Sequence, residues 1–262
     1  MASYETIVCK VKDRVARVTF NRPEVHNAFN DTMIHELSEV FDDLNERDEV
    51  RVVVVSGAGK SFCAGADLNW MRRVKEFTFE DNLRESLELA DMLAKVYSSK
   101  KPTIARVNGA AIGGGTGLVA VCDIAVAAAS AKFSFSEVKL GLIPACISPY
   151  VVQKCGHGRC REFFLTGERL TAERALQAGL VNAVVPLAEL DEAITRLVHQ
   201  LLTSGPEAIR TCKTLLHNVA QMPFEQAKKY TAEVIAQLRI SKEGQEGMNA
   251  FLQKRKPKWA AE

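Results

Sequence analysis

Between Val52 and Gly141 lie three segments whose residue types could do chemistry together. The first is Lys60-Ser61-Phe62-Cys63-Ala64-Gly65-Ala66-Asp67-Leu68. The second is Asn108-Gly109-Ala110-Ala111-Ile112-Gly113-Gly114-Gly115, and the third is Ser136-Glu137-Val138-Lys139-Leu140-Gly141. Small residues let a ligand approach the backbone closely, and a tight Gly/Ala turn can leave a main-chain N–H exposed. Two such donors aimed at one oxygen stabilise the negative charge that develops there. Glu137 adds a carboxylate that could take up or deliver a proton. Most glutamates are solvated surface charges, but this one sits between Phe135 and Leu140-Gly141-Leu142-Ile143.

Two rival motifs overlap these segments. Gly57-Ala58-Gly59-Lys60-Ser61 has the ending of a phosphate-binding P-loop, but the first glycine of that motif would fall at Val54, so the P-loop is rejected. Gly115-Thr116-Gly117-Leu118-Val119-Ala120 fits the dinucleotide fingerprint G-x-G-x-x-A, with the acidic Glu137 about 20 residues further on. Other elements precede it, whereas such a βαβ unit usually opens its domain. The extra Gly113-Gly114 pair also has no role in that motif. The fingerprint is therefore set aside.

In their order and spacing the three segments resemble the crotonase (enoyl-CoA hydratase/isomerase) superfamily, and the resemblance runs from about Val15 to Lys258. It implies that the N–H groups of Ala66 and Gly114 polarise a thioester carbonyl. Gly114 would lie at the positive end of the helix that starts there. Glu137 matches the carboxylate of the family's x-E-x-x-x-G-x-x-P segment, where it would move a proton at the acyl chain. The same resemblance has Ala64, Asp67 and Leu68 line an adenine site. Asn21-Arg22-Pro23-Glu24-Val25-His26-Asn27-Ala28 fits the family's N-R-P-x-x-x-N-A turn, which sets Val25 and His26 against the pantetheine and phosphates of coenzyme A. Phe251 and Lys254 would approach coenzyme A bound to a neighbouring subunit of a homotrimer or hexamer. Coenzyme A is part of the substrate, and no separate cofactor is implied.

The sequence also departs from the family. Typical hydratases carry a second glutamate where this chain has Gly117, and the stretch after Ile143-Pro144 is altered to Ala145-Cys146-Ile147-Ser148-Pro149-Tyr150. The string from Gly117 to Asp123, with Ile147-Ser148-Pro149-Tyr150 downstream, looks most like bacterial hydratases of methylglutaconyl-CoA and other branched glutaconyl-CoA thioesters, in leucine and acyclic-terpene breakdown. A substrate with its own carboxylate could occupy the space at Gly117. The expected activity is hydration of an α,β-unsaturated, branched or carboxylated acyl-CoA. The alternatives are a Δ3,Δ2-enoyl-CoA isomerase using Glu137 alone and a non-catalytic acyl-CoA-binding subunit.

Elements must bring these segments together. Ile7–Val11 and Val15–Phe20 alternate with period two around a Lys12-Asp13-Arg14 turn and predict a hairpin. Met33, Ile34, Leu37, Val40, Phe41 and Leu44 recur at helical spacing after a cap at Asn30 or Asp31. Val52–Val55 predicts a strand buried on both faces, and Thr103–Val107 and Ile124–Ala127 predict two more. Leu83, Leu87, Ala90 and Ala94 mark a helix, and Thr116–Val121 another. Strands alternating with helices indicate parallel pairing. Beyond about Pro149 the pattern reads as helices only: Arg159–Leu165, Thr171–Ala178, Glu189–Leu202, Pro206–Ala220, Phe224–Arg239 and Lys242–Phe251. The expected class is α/β, and the resemblance implies a ββα spiral core over 1–195 with a helical trimerisation region over 196–262.

Composition bounds the rest. The chain has 262 residues, 47% hydrophobic and 25% charged, with 34 basic against 32 acidic side chains. Nothing in that balance argues for a nucleic-acid partner. The seven cysteines are odd in number and contain no C-x-x-C pair, which predicts reduced thiols and a cytoplasmic setting. Met1–Thr6 has neither a basic nor an apolar signal region. The apolar stretch Ile104–Ala131 is interrupted by Arg106, glycines and Asp123, so it reads as core and not as a membrane span. His35, His199 and His217 have no metal-ligand spacing.

Overall fold

A computed structural model describes residues 4–260. Strands β1 (Ile7–Lys12) and β2 (Val15–Phe20) form the expected antiparallel hairpin, with Asp13 and Arg14 both at positive φ in its tight turn. Helix α1 (Asp31–Glu46) begins where Asn30 Oδ1 accepts the Met33 N–H at 2.9 Å. It buries the six apolar residues that its periodicity marks. The chain continues through β3 (Val52–Gly57), β4 (Ser61–Cys63), α2 (Leu68–Val74), α3 (Phe79–Tyr97), β5 (Thr103–Val107), β6 (Ala110–Ile112), α4 (Gly114–Val121), β7 (Ile124–Ala128) and β8 (Lys132–Ser134). A 3₁₀ turn, Ser136–Leu140, precedes α5 (Ser148–Thr166), β9 (Arg169–Thr171), α6 (Ala172–Gln177) and β10 (Ala183–Val185). The helices α7 (Leu190–Leu202), α8 (Pro206–Val219), α9 (Phe224–Ile240) and α10 (Lys242–Leu252) follow.

The strands form two sheets, a six-stranded one in the order β1-β2-β3-β5-β7-β10 and a four-stranded one in the order β4-β6-β8-β9. All pairings from β2 to β10 in the larger sheet are parallel. Its alternation is visible in the packing. Val53, Val55, Ala105, Val107, Ala125 and Ala127 face one core cluster, shared with α1 and α3. Val52, Val54, Ile104, Val126 and Ala128 face another, built with Leu190, Ala193, Ile194 and Val198 of α7. This is the two-sided burial that a β-branched run predicts for parallel strands. The expected α/β core with a helical C-terminal region is present.

Two expectations for the second half are corrected. The chain beyond Pro149 is not helical throughout, because β9 pairs antiparallel with β8 and β10 pairs parallel with β7. Strands of three residues are too short to show a period. Helix α5 starts at Ser148, well before Arg159, and Gly156 inside it has non-helical φ 74° and ψ 159°. That kink breaks the periodicity, so only the second half reads as a helix in the sequence.

Helix α7 runs through residue 195 and lies on the larger sheet. The helices after it are different: α8 and α9 bury no residue, and α10 buries only Ala250. Phe224, Ile240, Phe251 and Leu252 are each at least three-quarters exposed. No helix of the described residues is long and apolar enough to cross a membrane.

Candidate active site

The small sheet delivers all three chemical segments to one place. Strands β4, β6 and β8 are parallel neighbours, so their C-terminal ends lie together, the usual position of ligand sites in parallel sheets. Ala66 follows the end of β4, Gly114 the end of β6, and Glu137 the end of β8. Gly65, at φ +90°, lets the first two exits touch: a Cβ there would stand 2.9 Å from the Ile112 carbonyl oxygen. The Gly113 N–H donates to the Ser134 carbonyl at 2.8 Å, tying the exit of β6 to that of β8.

Each turn leaves one N–H free. Phe29 and Ala66 form an isolated parallel bridge, in which the Phe29 N–H donates to Gly65 O at 2.6 Å and the Asp67 N–H to Phe29 O at 2.7 Å. Because those two bonds use the residues on either side, the N–H and C=O of Ala66 point away from Phe29. Gly114 is the first residue of α4, and first-turn N–H groups have no intrahelical partner. Neither N–H has an acceptor among the described residues. Ala66 is exposed and Gly114 half-buried, so both are open to a ligand.

Glu137 lies against Gly113, the residue that precedes the second donor. A Cβ built on Gly113 would be 3.0 Å from its Oε1 and 3.9 Å from its Oε2. Gly113, at φ 51° and ψ −121°, therefore supplies both the turn and the room for this carboxylate. Oε2 is buried with no hydrogen-bond partner. Burial pushes the Glu137 carboxyl above its ordinary range, and a backbone hydrogen bond offsets only part of this. A buried, unsatisfied carboxyl oxygen beside the Gly113 turn is a costly arrangement unless a ligand completes it. The group can exchange a proton with an atom next to an oxygen held by the donors.

The structure gathers most of the other expected residues along one edge. Pro23–Val25 form a 3₁₀ turn ending at His26, at φ 54°. The Ala64 N–H donates to His26 O at 3.0 Å, and His26 Nδ1 is 3.1 Å from Ser61 Oγ. Val25, His26 and Ala64 thus form one surface leading to Ala66, with Leu68, 70% exposed, beyond it. Asp67 departs from expectation. It is buried, its Oδ2 takes a 2.7 Å ion pair from Arg22, and its Oδ1 accepts the Asn69 N–H at 2.7 Å to cap α2. The Arg22 and Asn69 contacts hold its carboxylate below the usual range against the opposing pull of burial, which is the largest single influence. The Asp67 side chain fastens the site loop from inside. Phe251 and Lys254 lie at the end of α10, which packs on α8 and α9. Phe251 is 83% exposed.

Gly117 is a second correction. It is buried within α4, and its α-carbon is covered by Ile147, whose Cβ would stand 2.7 Å from a Cβ at 117 and whose Cγ2 would overlap it. The absent glutamate leaves no room there for a substrate carboxylate. The altered stretch around Ile147 carried the signal, but one sequence does not show which two positions face each other. Phe29 and Arg22 are the other residues the sequence reading missed as parts of the site. Arg22 sits in the N-R-P turn, whereas nothing in the sequence marks Phe29.

Two sheets in this arrangement, with a carboxylate and two free N–H groups at the ends of three parallel strands, have the architecture of a crotonase-like enzyme. The profile of the enoyl-CoA hydratase/isomerase family matches residues 10–262, and the chain belongs to that family. It is 33% identical over 264 residues to a hydroxycinnamoyl-CoA hydratase-lyase of Pseudomonas fluorescens, covering 96% of this chain and 95% of that one. It is 31% identical over 260 residues to a crotonyl-CoA hydratase of Syntrophomonas wolfei, covering 97% of each. Its fold is similar to the crystal structure of an enoyl-CoA hydratase from Shewanella pealeana, at TM-score 0.94 and 39% identity over 97% of this chain and 96% of that one.

Proposed function

We propose that this protein is an enoyl-CoA hydratase that runs on a single carboxylate. The observation that carries the reading is the buried, unpartnered Oε2 of Glu137 beside Gly113, the residue that precedes the Gly114 donor. In the forward direction Glu137 takes a proton from water as the water oxygen bonds to Cβ of the enoyl thioester. The electron pair of the C=C bond moves onto the thioester oxygen, where the N–H groups of Ala66 and Gly114 hold the charge. As the enolate collapses, Cα takes the proton back from Glu137. Water is consumed, one C–O and one C–H bond form, and the carboxylate is regenerated. The hydratase names of the Pseudomonas and Syntrophomonas relatives support this reading.

The acyl group in this proposal is branched, of the kind leucine breakdown yields. The string from Gly117 to Asp123 with Ile147-Ser148-Pro149-Tyr150 supports that choice. Coenzyme A runs along Val25, His26, Ala64 and Leu68. The active form is a homotrimer or a pair of trimers, in which Phe251 and Lys254 reach the coenzyme A of a neighbouring subunit. The uncovered apolar faces of α8, α9 and α10 support assembly. Seven free thiols suit a reducing compartment, and the proposal puts the enzyme in the cytoplasm.

The lack of a carboxylate at Gly117 favours a second reading, a Δ3,Δ2-enoyl-CoA isomerase that uses Glu137 as a proton shuttle. Only hydration incorporates solvent oxygen. A panel of straight, branched and carboxylated enoyl-CoA thioesters in ¹⁸O-water should yield a labelled 3-hydroxyacyl-CoA from a branched member. Conversion of a 3-enoyl-CoA to its 2-enoyl isomer, with no label taken up anywhere in the panel, would overturn the hydratase reading.

A further inference from the structure

The two N–H donors come from separate elements, Ala66 from the exit of β4 and Gly114 from the start of α4, so something must set the distance between them. One residue touches both. The main chain of Phe29 makes the two bonds that flank Ala66, at 2.6 and 2.7 Å, and so turns the Ala66 N–H outward. The ring of Phe29 stands over the α-carbon of Gly114, where a Cβ would be 3.3 Å from its Cε2 and 3.4 Å from its Cδ2. Phe29 is 2% exposed. Its flanks are anchored as well: Arg22 donates to Ala28 O at 2.7 Å, and Asn30 caps α1.

We propose that Phe29 is the positioning residue for the donor pair, its main chain orienting Ala66 while its ring sets how closely Gly114 approaches. This rests on the reading that the pair holds a thioester oxygen. A flat ring is suited to the task because its atoms are fixed relative to one another and its Cδ2–Cε2 edge reaches the Gly114 α-carbon. A flexible or branched aliphatic side chain of similar bulk would fill the space without holding the spacing. Donors act on an oxyanion only within about 2.7–3.1 Å, so a small change in separation weakens one of the two bonds. Phe29 touches no reacting atom, and its effect passes through the donors.

The test uses full-length Phe29→Leu and Phe29→Met enzymes, with Phe41→Leu as a control. Phe41 is equally buried in α1 and has no role in the site. The readouts are kcat, KM and the carbonyl stretch of a bound 2-enoyl-CoA by Raman difference spectroscopy. In wild type the stretch should fall on binding. In both Phe29 variants that fall should shrink and kcat should drop roughly tenfold to a hundredfold, while KM stays within about threefold. Phe41→Leu should lower thermal stability and leave the carbonyl shift and kcat in place. A wild-type enzyme with no carbonyl shift would refute the donor reading itself. A wild-type shift that persists undiminished, with undiminished kcat, in either folded Phe29 variant would refute the role of Phe29 alone. Both Phe29 variants conserve most of the buried volume, so folded protein is expected.

Discussion

Replacing Gly114 by proline removes one donor at a position where the backbone tolerates it, and puts a Cδ where the hydrogen was. Gly114 is the first residue of α4, its N–H has no acceptor among the described residues, and its α-carbon carries no side chain to lose. Proline is well tolerated at a first helical position, because the missing N–H is unpaired there anyway and its fixed φ suits the helix. The preceding residue, Gly113, is already non-helical at φ 51° and ψ −121°, so the restriction that proline places on its neighbour falls on a residue free to meet it. The new Cβ would lie 3.3 Å from the Phe29 ring, a contact relieved by a shift of a few tenths of an ångström. Against that strain, proline lowers the entropy of the unfolded chain by about 0.4–1 kcal/mol. Tm should therefore stay close to wild type. Catalysis should not: loss of one oxyanion donor removes about 2.7–4 kcal/mol of transition-state stabilisation, which is roughly a hundredfold to a thousandfold in kcat, and the proline Cδ adds to that loss by crowding the place of the oxygen. The assay follows the loss of enoyl thioester absorbance at saturating substrate, with circular dichroism and a thermal melt to establish folding. A folded Gly114→Pro enzyme with near-normal kcat would refute the assignment of Gly114.

Burial raises the Glu137 carboxyl, and the reaction starts from the carboxylate. The acid limb of kcat/KM should therefore lie above the ordinary carboxylate value of about 4.5, and Glu137→Gln should lower turnover by about 10²–10⁴; a limb at or below the ordinary value would contradict the burial argument. The same shift links to stability. A carboxyl raised in the folded state contributes stability that is present below its unfolded pKa and lost as pH rises through the raised one, so the stability gap between Glu137→Gln and wild type should move in favour of the variant across that window. Ile147 against Gly117 predicts coupling: Gly117→Ala should destabilise by about 1–3 kcal/mol through overpacking and Ile147→Ala by about 2–5 kcal/mol through a cavity, while the double variant should lose measurably less than their sum in urea melts. Strict additivity would mean that the two side chains do not share the space. Truncation after Ala250 should shift sedimentation towards monomer and weaken acyl-CoA binding more than it lowers Tm, and a monomeric wild type that binds acyl-CoA normally would remove the case for the neighbouring subunit.

Local pattern alone determined the hairpin, α1, the buried valine strand and the C-terminal helices, because each is specified by side chains a few residues apart. Family resemblance in short words likewise marked Ala66, Gly114 and Glu137, since turns that expose an N–H need glycine and alanine at fixed places. The tertiary structure decided what depends on residues distant in the chain. Strands β4, β6, β8 and β9 have three residues each, too few for a pattern, yet their pairing is what brings the three segments to one end of a sheet. Asp67 could have faced a ligand or the interior, and Arg22, 45 residues away in sequence, turned it inward. Gly117 reads as an empty place until Ile147 is seen to fill it. Phe29 has no signature, because a phenylalanine that spaces two donors has the same composition and periodicity as one that only fills a core. What separates the two is the atom each ring edge rests on, and that is set by packing between elements and not by the local sequence.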